Sequence, residues 1–149
     1  MSNSTILIAA DHRGVKLKAT FIGWLEEHGY APKDLGTNSE ERCDALDFAK
    51  KLAESFKTDP NQFGILICGS GQAMAMTANR YRNIRAALCT SPEMARLARE
   101  HGDANVLALG ADITDEATAL KSLEVFLNTK HLGGRYAKRR DRLTELGGL

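Results

Sequence analysis

Short apolar runs rich in β-forming residues alternate with longer segments of helical period along the whole of this chain. The alternation predicts strands at 6–10, 30–35, 63–68, 84–89 and 105–109. Helices are predicted at 15–28, 44–56, 71–81 and 92–101, and a fifth, capped by Thr114, runs to about residue 128. Gly133 and Gly134 separate a last, basic helix at 135–146. This order of elements constrains the fold more than any other feature of the sequence.

Strands that are each followed by a helix favour a parallel sheet, because parallel neighbours need a right-handed crossover between them. The strands are near-continuous apolar runs, which is typical of burial on both faces. We therefore expect an α/β fold: a doubly wound five-stranded parallel sheet, a Rossmann-like three-layer sandwich, with a C-terminal basic helix. With 149 residues and 43% hydrophobic content, the chain has the size of a single domain spanning 1–149.

Charge and composition exclude several classes of function. A formal net charge of +1, from 20 basic and 19 acidic residues, gives no overall field for nucleic acid or an anionic membrane. The apolar runs are far shorter than the roughly 20 residues of a membrane-spanning helix. The start, MSNSTILIAADHRG, has no basic segment, and its apolar run is too short for a signal peptide. The three cysteines are isolated in sequence and are expected to be free thiols, so we expect a cytoplasmic protein.

The carboxyl ends of the strands are the candidate site, because doubly wound sheets bind ligands there, where the winding direction reverses. Asp11 and His12 follow the first predicted strand, and Cys68-Gly69-Ser70-Gly71 follows the third. If the strand order is 2-1-3-4-5, the first and third strands are neighbours. We then expect the two loops to lie together.

Cys68 ends a strand directly before a glycine-rich turn that opens a predicted helix. Backbone N–H groups at such a helix start stabilise negative charge, on an oxyanion or on the thiolate of Cys68. The plainer interpretation is a small core cysteine, with glycines that serve only a tight turn. GSGQAM lacks the third glycine of a dinucleotide fingerprint and the Gly-Lys-Ser/Thr of a P-loop. Met74 stands where a cysteine phosphatase would carry arginine.

Two histidines and the basic tail each have a structural and a functional interpretation. His12 either caps a loop or belongs to the site at the strand end. By composition alone, His101 is a cation at a helix C-terminus. Arg135, Arg139 and Arg142 share one helical face, which suits a phosphate monoester, although such charge runs are usually solvated.

Six stretches occur in the order of one known family: ADHRG, LGT, ICGSG, ANRYRNIRAALC, REHGDANVLALG and GGR. Together they span nearly the whole chain and resemble the type B ribose-5-phosphate isomerases, a family that includes the galactose-6-phosphate isomerase subunits. The resemblance implies an aldose–ketose isomerase of a phosphorylated sugar, with no metal and no cofactor. It also implies a homodimer or homotetramer with shared active sites, and no nucleic-acid or membrane partner is expected.

The resemblance also implies roles for particular residues. Cys68 is the implied base that moves a proton between C1 and C2 through a cis-enediolate, with Ser70 passing protons between the sugar oxygens. His101 is the implied acid or base that opens the furanose ring. The positions implied to contact substrate are Asp11, His12, Gly69, Gly71, Gln72, Ala73, Gly102, Arg135 and Arg139. Among them, the N–H groups of the 69–73 loop hold the enediolate charge and the two arginines bind phosphate.

Some positions depart from the family pattern where the family usually touches substrate. Ala45 follows Asp44 where a Tyr-Pro pair is common, and Gly102 replaces an asparagine. Asp112 stands where many members carry arginine, and Ala73 replaces a glycine. Ribose 5-phosphate and ribulose 5-phosphate are the expected substrate pair. The alternatives are another sugar phosphate, such as a tetrose or hexose phosphate, or a subunit active only with a homologous partner chain.

Overall fold

A computed structural model describes residues 5–57, 59 and 61–149. The parallel sheet contains β1 (Thr5–Ala10), β2 (Ala31–Asp34), β3 (Phe63–Cys68), β4 (Ala86–Leu88) and β5 (Val106–Gly110). The helices are α1 (Val15–Glu27), α2 (Ala45–Ser55), α3 (Gln72–Ala78), α4 (Pro92–Gly102), α5 (Glu116–Asn128) and α6 (Arg135–Glu145), with a 3₁₀ turn at His12–Gly14. The prediction of a five-stranded parallel α/β fold with a basic C-terminal helix is confirmed.

The strand order is β2-β1-β3-β5-β4. The expected adjacency of β1 and β3 is confirmed, but the expected order of the last two strands is wrong. All residues of β5 are buried, whereas β4 has three residues that are only half-buried. A fully buried run suits the middle of a parallel sheet, and a short, less buried run suits its edge. The Asn79 side chain covers this edge, bonding the N–H and C=O of Ala86 at 2.7 and 2.9 Å.

Different helices cover the two faces of the sheet. On one face α1, α4 and α5 pack around Phe21, Leu123 and Phe126, and on the other α2 and α3 pack around Leu52 and Met74. α6 lies outside these layers, against α4, and none of its residues is fully buried. Within the described part of the chain, no helix is both long and apolar enough to cross a membrane.

The cap of α5 and the end of α3 differ from the prediction, while the other helix ends agree to within one residue. Asp115, not Thr114, caps α5, and its carboxylate accepts the Thr118 N–H at 3.1 Å. A carboxylate at this position also interacts favourably with the helix dipole. The Thr114 hydroxyl is buried and has no hydrogen-bond partner among the described residues. α3 ends at Ala78 and not at residue 81, because the N–H groups of Arg80 and Tyr81 bond carbonyls three residues back instead of four.

Candidate active site

Cys68 ends β3 in the middle of the carboxyl edge of the sheet, between β1 and β5. The residue is 5% exposed, and its sulfur accepts a hydrogen bond from the Gly71 N–H at 3.1 Å. Gly71 has a φ of 81° and forms the N-cap of α3. Glycine adopts this left-handed conformation without steric cost. The turn therefore folds back so that a backbone donor faces the sulfur.

The backbone of the loop after β5 holds the Cys68 loop in place. The Cys68 carbonyl accepts the Ala111 N–H at 2.8 Å, and the Gly69 carbonyl accepts the Asp112 N–H at 3.0 Å. Gly110 makes this approach possible, since a Cβ there would lie 2.6 Å from the backbone of the Cys68 loop. The position of the thiol is thus fixed by two strands and not by its own turn alone.

Two N–H groups of the 69–73 loop have local partners. The Gly71 N–H donates to the Cys68 sulfur, and the Gln72 N–H donates to the Ser70 hydroxyl at 3.3 Å. Ser70, Gln72 and Ala73 are exposed, with Gln72 and Ala73 in the first turn of α3. The loop therefore presents polar groups to solvent directly beside the nearly buried thiol.

Asp11 and His12 follow β1 at the same edge of the sheet. The Asp11 N–H donates to the carbonyl of Ile67, the residue before Cys68, at 3.1 Å. Asp11 is 6% exposed, and its carboxylate accepts the Arg13 N–H at 3.0 Å. The structure thus brings Asp11 and His12 to the Cys68 strand end.

Cys43 contacts His12, which sequence reasoning missed. The Cys43 N–H donates to His12 Nδ1 at 3.3 Å, and the Cys43 sulfur lies 4.0 Å from the same nitrogen. Because Nδ1 accepts a hydrogen bond, the neutral ring carries its proton on Nε2. The two residues are 31 positions apart, so no local pattern signals their contact.

Arg13 and Asp112 form an ion pair over the loop that follows Cys68. Arg13 Nε donates to the Asp112 carboxylate, and both side chains are about half exposed. A Cβ at Gly69 would lie 3.0 Å from Asp112 Oδ2 and 3.3 Å from Arg13 Nε. The sequence indicates only the loss of a positive charge at position 112, whereas the structure places a guanidinium beside it.

His101 and Gly102 lie at the opposite, amino edge of the sheet. α4 begins beyond the carboxyl end of β4 and runs back, so that it ends close before Val106, the first residue of β5. Cys68 instead pairs with Gly110, the last residue of β5. A strand rises about 3.3 Å per residue, so the length of β5 alone separates the two edges by about 13 Å. One chain therefore does not bring His101 to its own Cys68.

His101 belongs to a basic cluster with the start of α6. Its ring stacks on Tyr136, with centroids 4.4 Å apart and planes inclined by 7°. Arg135 donates to the Tyr136 hydroxyl at 2.8 Å, and the guanidinium carbons of Arg135 and Arg139 lie 4.9 and 5.5 Å from the Tyr136 ring centroid. Sequence reasoning missed Tyr136, whose signal is its place among the arginines of GGRYAKRR. The predicted site residues thus form two groups, one at each edge.

A groove of about 670 Å³ runs along the exposed basic face of α6. Its lining residues are Arg135, Lys138, Arg139, Arg142, Leu143, Glu145 and Leu146. Cys68 does not line this groove, so the basic face and the thiol belong to separate surfaces of one chain. The i, i+4 and i+7 spacing expected of Arg135, Arg139 and Arg142 therefore does produce a common basic surface.

Asp103 ties α6 to the rest of the amino edge. Its carboxylate accepts hydrogen bonds from Arg99 and Arg140, each at 3.0 Å, and lies 3.6 Å from an Arg85 nitrogen. Burial by itself would raise the pKa of Asp103, but the hydrogen bonds from Arg140 and Arg99 and the charge of Arg85 lower it. The ionised carboxylate thus fixes α6 against the end of α4.

Comparison with known proteins gives one consistent family. Residues 6–143 match the model of a family described as ribose/galactose isomerase. Ribose-5-phosphate isomerase B of Escherichia coli is 35% identical over 141 residues, which cover 95% of each chain. The structure of ribose-5-phosphate isomerase B from Clostridium thermocellum superposes with a TM-score of 0.91 at 40% identity, covering 95% of this chain and 96% of that one. The Mycoplasma genitalium enzyme, solved with bound ribulose-5-phosphate, gives a TM-score of 0.93 at 34% identity, covering 98% and 97%.

Proposed function

Because this chain belongs to the ribose/galactose isomerase family, we propose that it interconverts ribose 5-phosphate and ribulose 5-phosphate without metal or cofactor. Support comes from relatives that match along nearly their whole length, one of which binds ribulose-5-phosphate. An aldose–ketose isomerisation needs a base, a way to shift a proton between two oxygens and a stabiliser of the enediolate. The carboxyl edge of the sheet offers candidates for each.

The observation that carries the mechanism is the Gly71 N–H directed at the Cys68 sulfur at 3.1 Å. In our proposal the Cys68 thiolate removes the C2 proton of the open-chain aldose, which leaves a cis-enediolate. Ser70 helps the O2 proton pass to O1, and the Cys68 thiol returns its proton to C1 to give the ketose. The proton bound at C2 therefore ends at C1, and no oxidant is needed. Loop N–H groups between Gly69 and Ala73 hold the charge of the enediolate.

The same proposal assigns the remaining contacts to two chains. Asp11 and His12, on the Cys68 edge, contact the sugar hydroxyls. His101 opens the furanose ring, and Arg135 and Arg139 bind the phosphate as charge-assisted donors. These three lie at the other edge of the sheet, so a complete site needs them from a second copy of the chain. We therefore propose a homodimer or homotetramer with active sites shared between subunits.

The Arg13–Asp112 pair bears on the choice of substrate. An acid at position 112 alone would repel a phosphate, but Arg13 neutralises it and keeps a guanidinium next to the Cys68 loop. Arg13 is therefore proposed to bind the phosphate in place of the arginine that many relatives carry at position 112. The departure at 112 is then compatible with ribose 5-phosphate.

A hexose phosphate is the second candidate substrate. A Cβ at Gly102 would meet no atom within 4 Å, and Ala45 carries only a methyl group where the family commonly has an aromatic side chain. Both positions leave more room than the larger residues common in the family. This favours a ligand one carbon longer, as does the family description, which includes galactose.

A cytoplasmic location is also part of the proposal. Cys43, Cys68 and Cys89 are all free thiols, which suits a reducing compartment. A base thiol also needs to stay reduced, since a sulfur tied in a disulfide cannot accept a proton.

An isomerase assay with Cys68→Ala tests the proposed function. We expect the purified, EDTA-treated protein to convert ribose 5-phosphate, and the variant to lose about a thousandfold in kcat, as expected for a general base. Cys89→Ala is the matched control, because it removes a buried thiol at another strand end and should stay active. Unchanged turnover in Cys68→Ala would contradict the mechanism. Assaying tetrose, pentose and hexose phosphates side by side ranks the substrates by kcat/KM.

A further inference from the structure

Tyr136 lies at the centre of the basic cluster on the amino edge of the sheet. One face of its ring is in parallel contact with the His101 imidazole, at a centroid distance of 4.4 Å. Its hydroxyl accepts the Arg135 hydrogen bond at 2.8 Å, and the Arg139 guanidinium lies within cation–π distance of the ring, at 5.5 Å. A single side chain therefore contacts all three basic residues that the proposed function assigns at this edge.

These contacts join two separate helices. His101 stands near the end of α4, and Tyr136 is the second residue of α6. Arg135 and Arg139 are exposed, and long exposed side chains lose rotamer entropy when a ligand fixes them. A flat, half-buried ring that already contacts all three groups lowers this cost before the substrate arrives.

We propose that Tyr136 is a positioning residue that holds the His101 ring in the orientation for ring opening and holds the two arginines for the phosphate. This inference rests on the proposed function, in which His101 delivers a proton to the ring oxygen O4 as the C1–O4 bond breaks. The C1 hydroxyl loses its proton in the same step, which gives the open-chain aldehyde. Tyr136 acts on this step through His101 and does not exchange a proton itself.

The chemistry of the two substrates separates ring opening from the later proton transfer. Ribose 5-phosphate is cyclic in solution and must be opened. Ribulose 5-phosphate is acyclic, because its O5 is esterified and cannot close a five-membered ring on C2. The Cys68 base can therefore exchange the C1 proton of ribulose 5-phosphate with solvent without help from His101. A defect confined to the positioning of His101 therefore slows the conversion of ribose 5-phosphate and leaves the proton exchange of ribulose 5-phosphate unchanged.

The test compares these two rates at saturating substrate in the full-length protein and in Tyr136→Leu. We expect Tyr136→Leu to lower kcat for conversion of ribose 5-phosphate about tenfold or more, as misplacement of a catalytic group does. Exchange of the C1 proton of ribulose 5-phosphate with D2O, followed by NMR, should stay within about twofold of the wild type, because this reaction bypasses ring opening. Tyr136→Phe keeps the stack and loses the Arg135 bond, so its kcat should be near normal and its KM about tenfold higher.

Lys121→Ala is the control, because this exposed lysine lies on α5 outside the basic groove, and it should behave as the wild type in both reactions. Parallel loss of both rates in Tyr136→Leu, whether or not sedimentation shows dissociation, would overturn the positioning role, and so would unchanged rates. Wild-type protein that neither converts nor exchanges the pentose phosphates would instead count against the proposed function. The two failures are therefore distinguishable.

Discussion

Three cysteines of this chain have three different environments. Burial raises the pKa of the Cys89 thiol to about 11, so this residue stays protonated at neutral pH. Cys43 is half-buried and lies beside His12, while Cys68 has a backbone donor 3.1 Å from its sulfur. Residue type alone does not separate them, since Cys68 and Cys89 both stand at the ends of apolar runs. The difference comes from the glycine turn that follows Cys68.

At the residue scale, Arg13→Ala should weaken substrate binding. We expect KM for the sugar phosphate to rise about tenfold or more with kcat little changed, because a charged hydrogen bond to phosphate is worth about 1.5–3 kcal/mol. Steady-state kinetics of Arg13→Ala and of the exchanged pair Arg13→Asp with Asp112→Arg check this. The exchanged pair keeps both charges and should recover most of the affinity. An unchanged KM in Arg13→Ala would show that the pair is only a surface ion pair.

At the scale of elements, α6 is held against α4 by charge more than by apolar burial. α6 has no fully buried residue, yet Arg140 ties it to Asp103 at the end of α4. Arg99, which is 6% exposed, shares the same carboxylate. Removing one partner of this Asp103 cluster leaves a buried charge uncompensated. A substitution here therefore costs more stability than the loss of an exposed ion pair.

Asp103→Asn should destabilise the protein by about 1–3 kcal/mol at pH 7, since it removes charge-assisted hydrogen bonds. Asparagine tolerates the left-handed φ of 47° at this position, so the change isolates the charge. The pKa of Asp103 is lowered in the folded state, so its stabilisation is present above the unfolded pKa and is lost as pH falls through the folded pKa. Urea unfolding at several pH values should therefore show the difference between variant and wild type shrinking below about pH 4.

Glu93→Gln is the control for this prediction, because it removes an exposed pair with Arg96 on the same helix. We expect no measurable change in its unfolding midpoint. If Asp103→Asn leaves the unfolding midpoint at pH 7 unchanged, as Glu93→Gln should, the Asp103 cluster contributes nothing to the stability of the fold.

The sequence predicts the elements of this fold well and their arrangement less well. The bounds of β3 follow from its apolar run, and the adjacency of β1 and β3 follows from the doubly wound strand order expected for the sheet. The placement of β5 inside the sheet and β4 at its edge could not be predicted. Both runs are apolar, and their positions depend on which strands pair. The caps at Thr114 and Asp115 differ by one position, which lies within the usual uncertainty of a helix start.

In the candidate site, too, the sequence predicts what depends on topology but not the individual long-range contacts. The strand-end rule places Asp11, His12 and Cys68 at one edge because it depends only on topology. The Cys43–His12 and His101–Tyr136 contacts join distant parts of the chain, and no periodic pattern encodes them. The position of His101 at the far edge follows from the direction of α4, so it could have been inferred once the helix was predicted.

At the scale of the whole molecule, the proposed function makes the two groups of site residues two half-sites that are completed by a second chain. A mixture of Cys68→Ala and His101→Ala chains, refolded together, should therefore regain activity that neither variant has alone. In a 1:1 mixture of dimers, half are mixed, and each contains one intact site, which gives about a quarter of wild-type activity. Activity assays before and after co-refolding check this. Failure to recover any activity, with mixed dimers shown by mass spectrometry, would contradict sharing between chains.

Under the proposed sharing of sites, the placement of the thiol and the histidine at opposite rims of one sheet makes turnover a collective property. In that arrangement a solitary chain carries half of each of two reaction centres and no complete one. Upon dilution below the dissociation constant of the subunits, the rate per molecule is then expected to fall even though every molecule remains folded.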